Sequence, residues 1–382
     1  MAVLHLSEDE QALVEAIREI ARERVAPRAA EIDHTSQFPW DMKELLAQQD
    51  VLAMPFAEDY GGIGSSELAV VMAIEELSRN CATTGLILAV QQLGSLPIIL
   101  AGNEEQKRKY LPSLASGEWL AAFGLTEAGS GSDAAAMQTF AVRSGDKYIL
   151  NGSKRFITNG GLAQVNSIFA ITDPNVGTRG ISAFIVEKDF PGFSVGRIED
   201  KMGIKGSQTA ELIFIDCEVP AENLLGREGD GFKIAMMTLD RTRPGVGAQA
   251  LGIAQGALDL AISYSTQRIQ FDRPIADNQG IQFMLADMAT KVEAARLLVY
   301  NAAEMIDRGE ANFSKYSSMA KMYASDVAME VTGDAVQILG GYGYMKEYPA
   351  ERMMRDAKIT QIYEGTNQIQ RLVIARALLG EN

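Results

Sequence analysis

The glutamate at position 364 has the surroundings that most favour acid–base chemistry. It lies in the segment IYEGTN, residues 362–367, between an aromatic residue and a glycine. Moving a carboxylate out of bulk water raises its pKa and makes it a stronger base. The segment therefore indicates proton abstraction by Glu364. The alternative is that Glu364 only precedes the last helix, with Thr366 or Asn367 as the N-cap.

Two further segments combine glycines with polar residues. GLTEAGSGSD, residues 124–133, contains three glycines and three hydroxyl residues. Glycines let the backbone approach a ligand, and free amides with hydroxyls bind phosphates or ring heteroatoms. A plain flexible turn is the alternative. The second segment, QILGGYGY at residues 337–344, precedes charges of alternating sign from Glu347 to Asp356, and is equally typical of a helix end and a surface ladder of salt bridges.

Many common catalytic motifs are absent from the sequence. It contains no GxGxxG after a predicted strand, no phosphate-binding P-loop, no HExxH and no GxSxG. Cys81 and Cys217 stand far apart, and the histidines are His5 and His34. These patterns exclude disulfide frameworks, zinc sites and most histidine chemistry, and no metal ligands are predicted. A carboxylate, or a cofactor held by backbone and hydroxyl groups, has to carry any reaction.

Charge and hydropathy exclude other classes of partner. With 50 acidic and 35 basic residues, the net charge of -15 would repel nucleic acid. The most apolar stretch, residues 85–101, is predicted to be too short and too polar to cross a membrane. The first letters, MAVLHLSEDEQ, match neither a secretion signal nor an organelle presequence. We expect a cytoplasmic protein of a bacterium, or a mitochondrial matrix protein if a presequence has been removed.

Three regions of different periodicity must position these residues. Helical spacing that begins with a capping box of Ser7 and Glu10 predicts an all-helical domain over residues 1–121. Short runs of β-branched and aromatic residues predict a β-domain over 122–230. Helical spacing returns over 231–382 and predicts a bundle. The predicted fold class is α+β, mainly α, and a helical scaffold without enzymatic activity stays open as an alternative.

Taken together, the three segments resemble the acyl-CoA dehydrogenase family over essentially the whole chain. GLTEAGSGSD and QILGGYGYMKEYPAERMMRD match its two signature stretches, and YEGT carries its usual catalytic glutamate. The resemblance implies an N-terminal helical domain, a middle domain like a β-barrel and a C-terminal four-helix bundle. It also implies a homotetramer with FAD at a subunit interface.

The resemblance assigns a role to Glu364 as the base that removes the α-proton of an acyl-CoA thioester. N5 of FAD would accept hydride from the β-carbon, giving a trans-2-enoyl-CoA, and the electrons would pass to electron-transfer flavoprotein. The amide of Glu364, with a flavin hydroxyl, would polarise the thioester carbonyl. A positioned base contributes about 100- to 10,000-fold. Alignment against the flavin and carbonyl polarisation must therefore supply the rest.

The resemblance also implies the residues that bind cofactor and substrate. Those for FAD within one subunit are Phe123, Leu125, Thr126, Ser132, Phe156, Ile157 and Thr158, and Thr366 and Gln368 would complete the site. Those that a neighbouring subunit would add are Arg268, Gln279, Gln337, Gly340 and Gly341. Those for the acyl-CoA are Ser132, Asp240, Arg243, Gln249, Thr360 and Gly365.

Four positions bear on how closely the family pattern applies. Phe156 stands where many relatives have tryptophan, so a tryptophan-specific electron route has no support here. Thr242 stands where isovaleryl- and long-chain-type members have their glutamate, which leaves Glu364 as the base. Gln249 and Thr360 match residues that close the acyl pocket in butyryl-type members, and so imply a short acyl chain. Medium-chain, branched or alicyclic acyl groups, and an acyl-CoA oxidase, are the alternatives.

Overall fold

The N-terminal region of the computed structural model is helical. The model describes residues 7–380, so His5 and the start of MAVLHLSEDEQ lie outside the described residues. The predicted capping box is present, because Glu10 N donates to Ser7 Oγ at 3.2 Å and Ser7 N donates to Glu10 Oε2 at 3.0 Å. The helices are α1 (Glu8–Ile20), α2 (Ala29–Thr35), α3 (Trp40–Gln48), α4 (Glu67–Asn80), α5 (Ala82–Ala101) and α6 (Glu104–Ala115).

Helix α5 corrects a prediction about the apolar stretch at residues 85–101. The stretch belongs to one helix of 20 residues, which is long and apolar enough to cross a membrane by length and composition, the one such helix within residues 7–380. In its most apolar window, 83% is buried inside the protein, as in a core helix. Its polar Gln91 is satisfied, since its Nε2 donates to Leu114 O in the last turn of α6 and to Trp119 O in the loop after it, and its Oε1 accepts from Ala121 N at 3.1 Å.

The middle region forms one sheet. The eight strands are β1 (Ala121–Gly124), β2 (Phe140–Ser144), β3 (Lys147–Thr158), β4 (Val165–Ile171), β5 (Ile181–Glu187), β6 (Phe193–Ile198), β7 (Thr209–Pro220) and β8 (Leu224–Leu225). Their order is β6-β7-β3-β2-β4-β5-β8, and β1 pairs in parallel with β4. Five of the strands lie where β-branched runs predicted them. The strands β1, β6 and β8 were not predicted, because they are short or polar on one face.

The C-terminal region returns to helices after a short hairpin. The remaining elements are α7 (Gly231–Gln267), β9 (Ile269–Gln270), β10 (Arg273–Pro274), α8 (Gln279–Asp307), α9 (Phe313–Leu339), α10 (Ala350–Thr360) and α11 (Asn367–Leu379). The three longest helices match the segments of helical spacing near 233–270, 278–308 and 314–339. Helix α7 packs against α4, α5, α8 and α9, so it connects the two helical regions.

Helix α10 was not predicted as a helix. The charges from Glu347 to Asp356 were consistent with a surface ladder, yet Asp356 is buried and Arg355 pairs with Asp33 of α2 at 2.7 Å as well as with Glu351 at 2.6 Å. The ion pair between Arg355 and Asp33 therefore joins α10 to α2, a part of the chain that is distant in sequence.

Candidate active site

A cavity of about 540 Å³ lies where the sheet meets the helices. Its walls come from α5, the segment after β1, the end of β3, the start of α7, the turn before α11 and α11 itself. Apolar residues of α5 and α7 form one side, including Val90, Leu93 and Leu239. The structure brings ten of the predicted site residues to this cavity: Phe123, Leu125, Thr126, Ser132, Phe156, Ile157, Thr158, Arg243, Glu364 and Gly365.

Glu364 lies in a tight turn between two helices. Helix α10 ends at Thr360, and α11 begins after Thr366, whose side chain accepts a hydrogen bond from Ile369 N at 3.3 Å. The capping role predicted as an alternative therefore belongs to Thr366, while Glu364 faces the cavity. Its φ of 53° is left-handed, a conformation that costs a non-glycine residue roughly 1–3 kcal/mol and is concentrated at functional sites.

The environment of the Glu364 carboxyl acts on its pKa in two opposite directions. Burial raises its pKa, whereas a hydrogen bond and two positive charges act in the opposite direction, and the net pKa is raised. The hydrogen bond comes from Thr242 Oγ1, which donates to Glu364 Oε2 at 2.6 Å. The charges belong to Arg243 of α7 and Lys321 of α9. Thr242 was predicted not to be the base itself. Its hydroxyl instead stabilises the ionised form of Glu364.

Arg243 forms the charged part of the same wall. Its guanidinium is almost fully buried, is paired with Asp240 one turn earlier, and donates to Ser318 Oγ at 3.3 Å. Burial lowers the pKa of Arg243, and the Asp240 carboxylate opposes that change. Asp240 itself does not line the cavity; it forms an ion pair with Arg243, and its contact with the substrate stays a prediction.

The glycine-rich segment after β1 is a braced loop. The Glu127 carboxylate accepts from the backbone of Gln138 and Thr139 at 2.5 and 3.0 Å and pairs with Lys154 Nζ at 2.7 Å. Lys154, fully buried on β3, also donates to Leu125 O at 3.2 Å. Burial lowers the pKa of Lys154 to about 8, although the Glu127 charge opposes this. These contacts contradict the alternative of a plain flexible turn.

Other predicted cofactor residues lie elsewhere. Arg268, Gly340 and Gly341 line a second cavity of about 560 Å³, in which the Arg268 guanidinium lies 5.4 Å from the centre of the Tyr342 ring. The remaining four line neither cavity: Gln279, Gln337 and Gln368 are exposed, and Thr366 is half-buried at the start of α11. One chain thus divides the predicted FAD residues into two separate groups.

The two residues predicted to close the acyl pocket are buried behind its wall. Gln249 accepts a hydrogen bond from the Tyr363 hydroxyl and donates to Ala82 O at 3.1 Å, and Tyr363 lines the cavity. Thr360 donates to Ala357 O at 2.7 Å. Neither Gln249 nor Thr360 lines the cavity in the described chain. Gln249 therefore reaches the acyl side of the cavity only through Tyr363.

Two buried lysines of the site were missed by the sequence analysis. Lys154 braces the glycine-rich loop, and Lys321 donates to Gly365 O at 2.8 Å. Neither belongs to a motif. A detectable signal existed for Lys321, because it falls at helical spacing with the buried residues Ala324 and Ala328 of α9, where a charge needs a partner.

Comparison with known proteins gives matches along the chain. Family models for the acyl-CoA dehydrogenase N-terminal, middle and C-terminal domains match residues 7–118, 122–217 and 229–379. An acyl-CoA dehydrogenase of Bacillus subtilis is 54% identical, covering 99% of this chain and 100% of that protein. An acyl-CoA dehydrogenase of Clostridium acetobutylicum, described as short-chain specific, is 50% identical over 97% of this chain and 98% of that protein.

Solved structures have the same architecture. Butyryl-CoA dehydrogenase from Megasphaera elsdenii is 49% identical, with a TM-score of 0.96 over 98% of this chain and 99% of that one. A chain from a structure described as the electron transferring flavoprotein of Acidaminococcus fermentans is 55% identical, with a TM-score of 0.97 over 99% and 100%. An acyl-CoA dehydrogenase complexed with FAD from Bacillus anthracis is 37% identical, with a TM-score of 0.92 over 99% and 69%. This chain belongs to the acyl-CoA dehydrogenase family.

Proposed function

We propose that this protein, an acyl-CoA dehydrogenase and hence a flavin-dependent oxidoreductase, converts short-chain acyl-CoA to trans-2-enoyl-CoA. The observation that carries the proposal is the position of Glu364. Its carboxyl has a raised pKa, receives a hydrogen bond from Thr242, and lines a cavity whose other walls are apolar helices and a braced loop. A base of this kind can remove a weakly acidic proton next to a thioester carbonyl.

FAD fits the residues that face the cavity. The hydroxyls of Thr126, Ser132 and Thr158 line it and make no hydrogen bond to other described residues, so they are free to bind the ring heteroatoms and phosphates of a flavin. We expect these residues, with Phe123, Leu125, Phe156 and Ile157, to hold the flavin within one subunit. When bound, FAD supplies the acceptor for hydride from the β-carbon.

The chain itself supplies proton abstraction and orientation. Glu364 takes the α-proton, and Thr242 keeps its carboxylate ionised and aimed by donating a hydrogen bond to one oxygen. We expect the amide of Glu364 to polarise the thioester carbonyl, since donors aimed at developing negative charge stabilise a transition state strongly. The apolar residues from α5 and α7 exclude water from the acyl side.

Two observations support a short acyl group. The relatives described above include one that is short-chain specific and one that is a butyryl-CoA dehydrogenase. In this chain the aromatic ring of Tyr363 occupies the wall of the cavity, and its hydroxyl is held by Gln249 behind it. A tethered aromatic ring is a rigid stop for the end of an acyl chain.

The proposal includes a homotetramer and electron-transfer flavoprotein as the electron acceptor. The separation of Arg268, Gly340 and Gly341 from the first cavity supports an FAD site completed by a neighbouring subunit. Exposed apolar residues such as Phe271 and Phe283, 95% and 60% exposed, support an oligomer that covers them. Similarity to a chain from an electron transferring flavoprotein structure supports the acceptor.

The test is reduction of bound flavin without oxygen. The purified protein should be yellow from its bound flavin. Butyryl-CoA should bleach this colour faster than acyl-CoA thioesters of about eight to sixteen carbons. Preferential bleaching by long, branched or alicyclic acyl-CoA would reject the short-chain assignment. A protein that gains no flavin on reconstitution would reject the dehydrogenase itself, and rapid peroxide formation in air would favour an oxidase.

A substitution tests the base directly. Glu364→Gln should keep the flavin but lower turnover by about 100- to 10,000-fold, because an amide cannot accept the proton. Steady-state kinetics with the flavin content of each preparation measures both effects. Unchanged turnover would assign the proton abstraction to another group.

A further inference from the structure

Lys321 reaches the turn of Glu364 from the interior of the protein. It lies in the middle of α9, and its side chain has no exposed surface. Its Nζ donates to Gly365 O at 2.8 Å and to Asn367 Oδ1 at 2.8 Å. The ammonium therefore binds the backbone directly after Glu364 and the first residue of the helix that follows.

The same turn has a second side chain bound to its carbonyls. Gln370 Nε2 donates to Glu364 O at 3.2 Å and to Gly365 O at 2.9 Å. Gly365 has a φ of 90°, and a Cβ at that position would lie 2.7 Å from Gln370 Nε2. Lys321 and Gln370 together hold the two consecutive left-handed residues, one of which is the base.

Within residues 7–380, no carboxylate forms an ion pair with the Lys321 ammonium. Its two hydrogen-bond acceptors are a carbonyl and an amide oxygen, although Asp326 lies nearby and accepts from Asn367 Nδ2 at 2.7 Å. Burial of an unpaired ammonium is costly, so a position like this needs a compensating role. The charged groups that act on Lys321 are Glu364 of the turn, Arg243 of α7 and Asp326 of α9 itself.

We propose that Lys321 is a positioning residue for Glu364: it holds the turn through the Gly365 carbonyl, and its positive charge favours the ionised form of the base. The inference rests on the proposed function of Glu364 and extends it to a residue on another helix. Burial lowers the pKa of Lys321 to about 7, with the Glu364 charge opposing this change. The electrostatic part of the effect is thus largest below pH 7, where the ammonium is protonated.

Three variants separate the charge from the hydrogen bond. Lys321→Gln keeps a donor and loses the charge, Lys321→Arg keeps the charge, and Gln370→Leu removes the neutral donor to the same carbonyls. The measurement is the pH dependence of kcat/KM for butyryl-CoA, together with flavin content and unfolding temperature. Ser325→Ala is the matched control, because Ser325 contacts Asn367 from the same helix without touching the turn carbonyls.

The expected result is a shift that a merely structural role does not produce. Loss of the charge should move the acidic limb of the profile to higher pH by about one unit, since an opposite charge near a carboxyl lowers its pKa by that order. Lys321→Arg should leave the limb near its original position. Gln370→Leu should lower kcat at all pH values without moving the limb, and Ser325→Ala should leave the profile unchanged.

The outcomes distinguish this inference from the proposed function. If the unsubstituted protein is not bleached by any acyl-CoA, the function itself fails. If it is bleached but Lys321→Gln keeps the original acidic limb, the role of Lys321 is overturned. If Lys321→Gln does not fold, Lys321→Met replaces it, because methionine also removes the charge and adds no polar group. An unmoved acidic limb in Lys321→Met would likewise overturn the role of Lys321.

Discussion

The strength of the Glu364 base comes from neighbours that act in opposite directions. Burial alone would raise its pKa further and leave more of the carboxyl protonated near neutral pH. The hydrogen bond from Thr242 and the charges of Arg243 and Lys321 limit that rise. At the residue scale, the site thus combines burial, which makes Glu364 a stronger base, with contacts that favour its ionised form.

Thr242→Val tests the hydrogen-bonded part of this balance. The hydroxyl stabilises the ionised carboxylate, so its loss should raise the pKa of Glu364 by about one unit, given the usual strength of a hydrogen bond to a charged group. The acidic limb of kcat/KM should move to higher pH, with a loss of about tenfold below the limb and recovery well above it. The pH profile with butyryl-CoA measures the shift.

A neighbouring threonine provides the control for this substitution. Thr238, one turn earlier on α7, is also buried, but its hydroxyl donates to Ile234 O at 2.8 Å within the helix. Thr238→Val should leave the acidic limb in place. An equal shift in both variants would show that the packing of α7, and not the contact with Glu364, sets the profile.

At the scale of elements, the glycine-rich loop depends on β3. Lys154 of that strand carries a buried charge that pairs with Glu127 and holds Leu125 O. Burial alone would raise the pKa of Glu127, but the Lys154 charge opposes this and the net pKa of Glu127 is lowered. The loop that is proposed to bind FAD is therefore ordered by an ion pair underneath it, and its conformation does not depend on glycine alone.

Lys154→Met tests this support. It leaves the Glu127 carboxylate buried without its partner, which costs about 3–5 kcal/mol of unfolding free energy. We also expect weaker retention of flavin, because the loop loses its anchor. Urea unfolding and flavin absorbance per protein measure the two effects.

The matched control lies on the same strand. Lys147 pairs with Glu218 at 2.7 Å near the surface, with both side chains exposed. Lys147→Met should cost less than about 1 kcal/mol, as exposed pairs usually do, and should leave flavin retention unchanged. Equal losses in the two variants would contradict the assigned role of the buried pair.

At the scale of the whole molecule, α10 joins the three regions of the chain. Arg355 donates to Asp33 of the N-terminal region at 2.9 Å and to Met202 O of the middle region at 3.0 Å. The next residue, Asp356, accepts from Ile204 N at 2.5 Å. Since α10 leads directly to Glu364, these contacts connect the position of the base to the packing of the regions.

Asp356 predicts a pH dependence of overall stability. Burial raises its pKa to about 6, from 3.8 for an unperturbed aspartate, although its hydrogen bond and nearby arginines oppose the rise. A carboxyl with a raised pKa in the folded protein binds its proton more tightly there than when unfolded. Ionisation of Asp356 therefore lowers the free energy of unfolding as the pH rises from about 4 through about 6.

Asp356→Asn removes this titration while keeping an oxygen acceptor for Ile204 N. We compare the unfolding free energy of the variant with that of the unsubstituted protein. As the pH rises from 4 to 8, this difference should change in favour of the variant by about 1–3 kcal/mol, because one pKa unit corresponds to about 1.4 kcal/mol. Urea unfolding at several pH values measures the difference. A difference in stability that does not change with pH would contradict the raised pKa of Asp356.

Much of the fold follows from local sequence patterns. The capping box of α1, the stripes of α7, α8 and α9, and five of the strands lie where periodicity predicted them, because each pattern requires only neighbours along the chain. Helix α10 was missed, since its charges have partners in other regions. The apolar α5 was misjudged, because the partners of its polar Gln91 lie on α6 and in the loop after it, which local sequence does not reveal.

The sequence by itself determined the family and ten of the residues that line the cavity, including Glu364 as the expected base, because short motifs carry that information. Only the tertiary structure decided the strength of the base and the support of its turn. Thr242 lies 122 positions from Glu364, and Lys321 lies 44 positions from Gly365. Burial and charge act through space, so they are set by packing that brings distant residues together, and no local pattern encodes them.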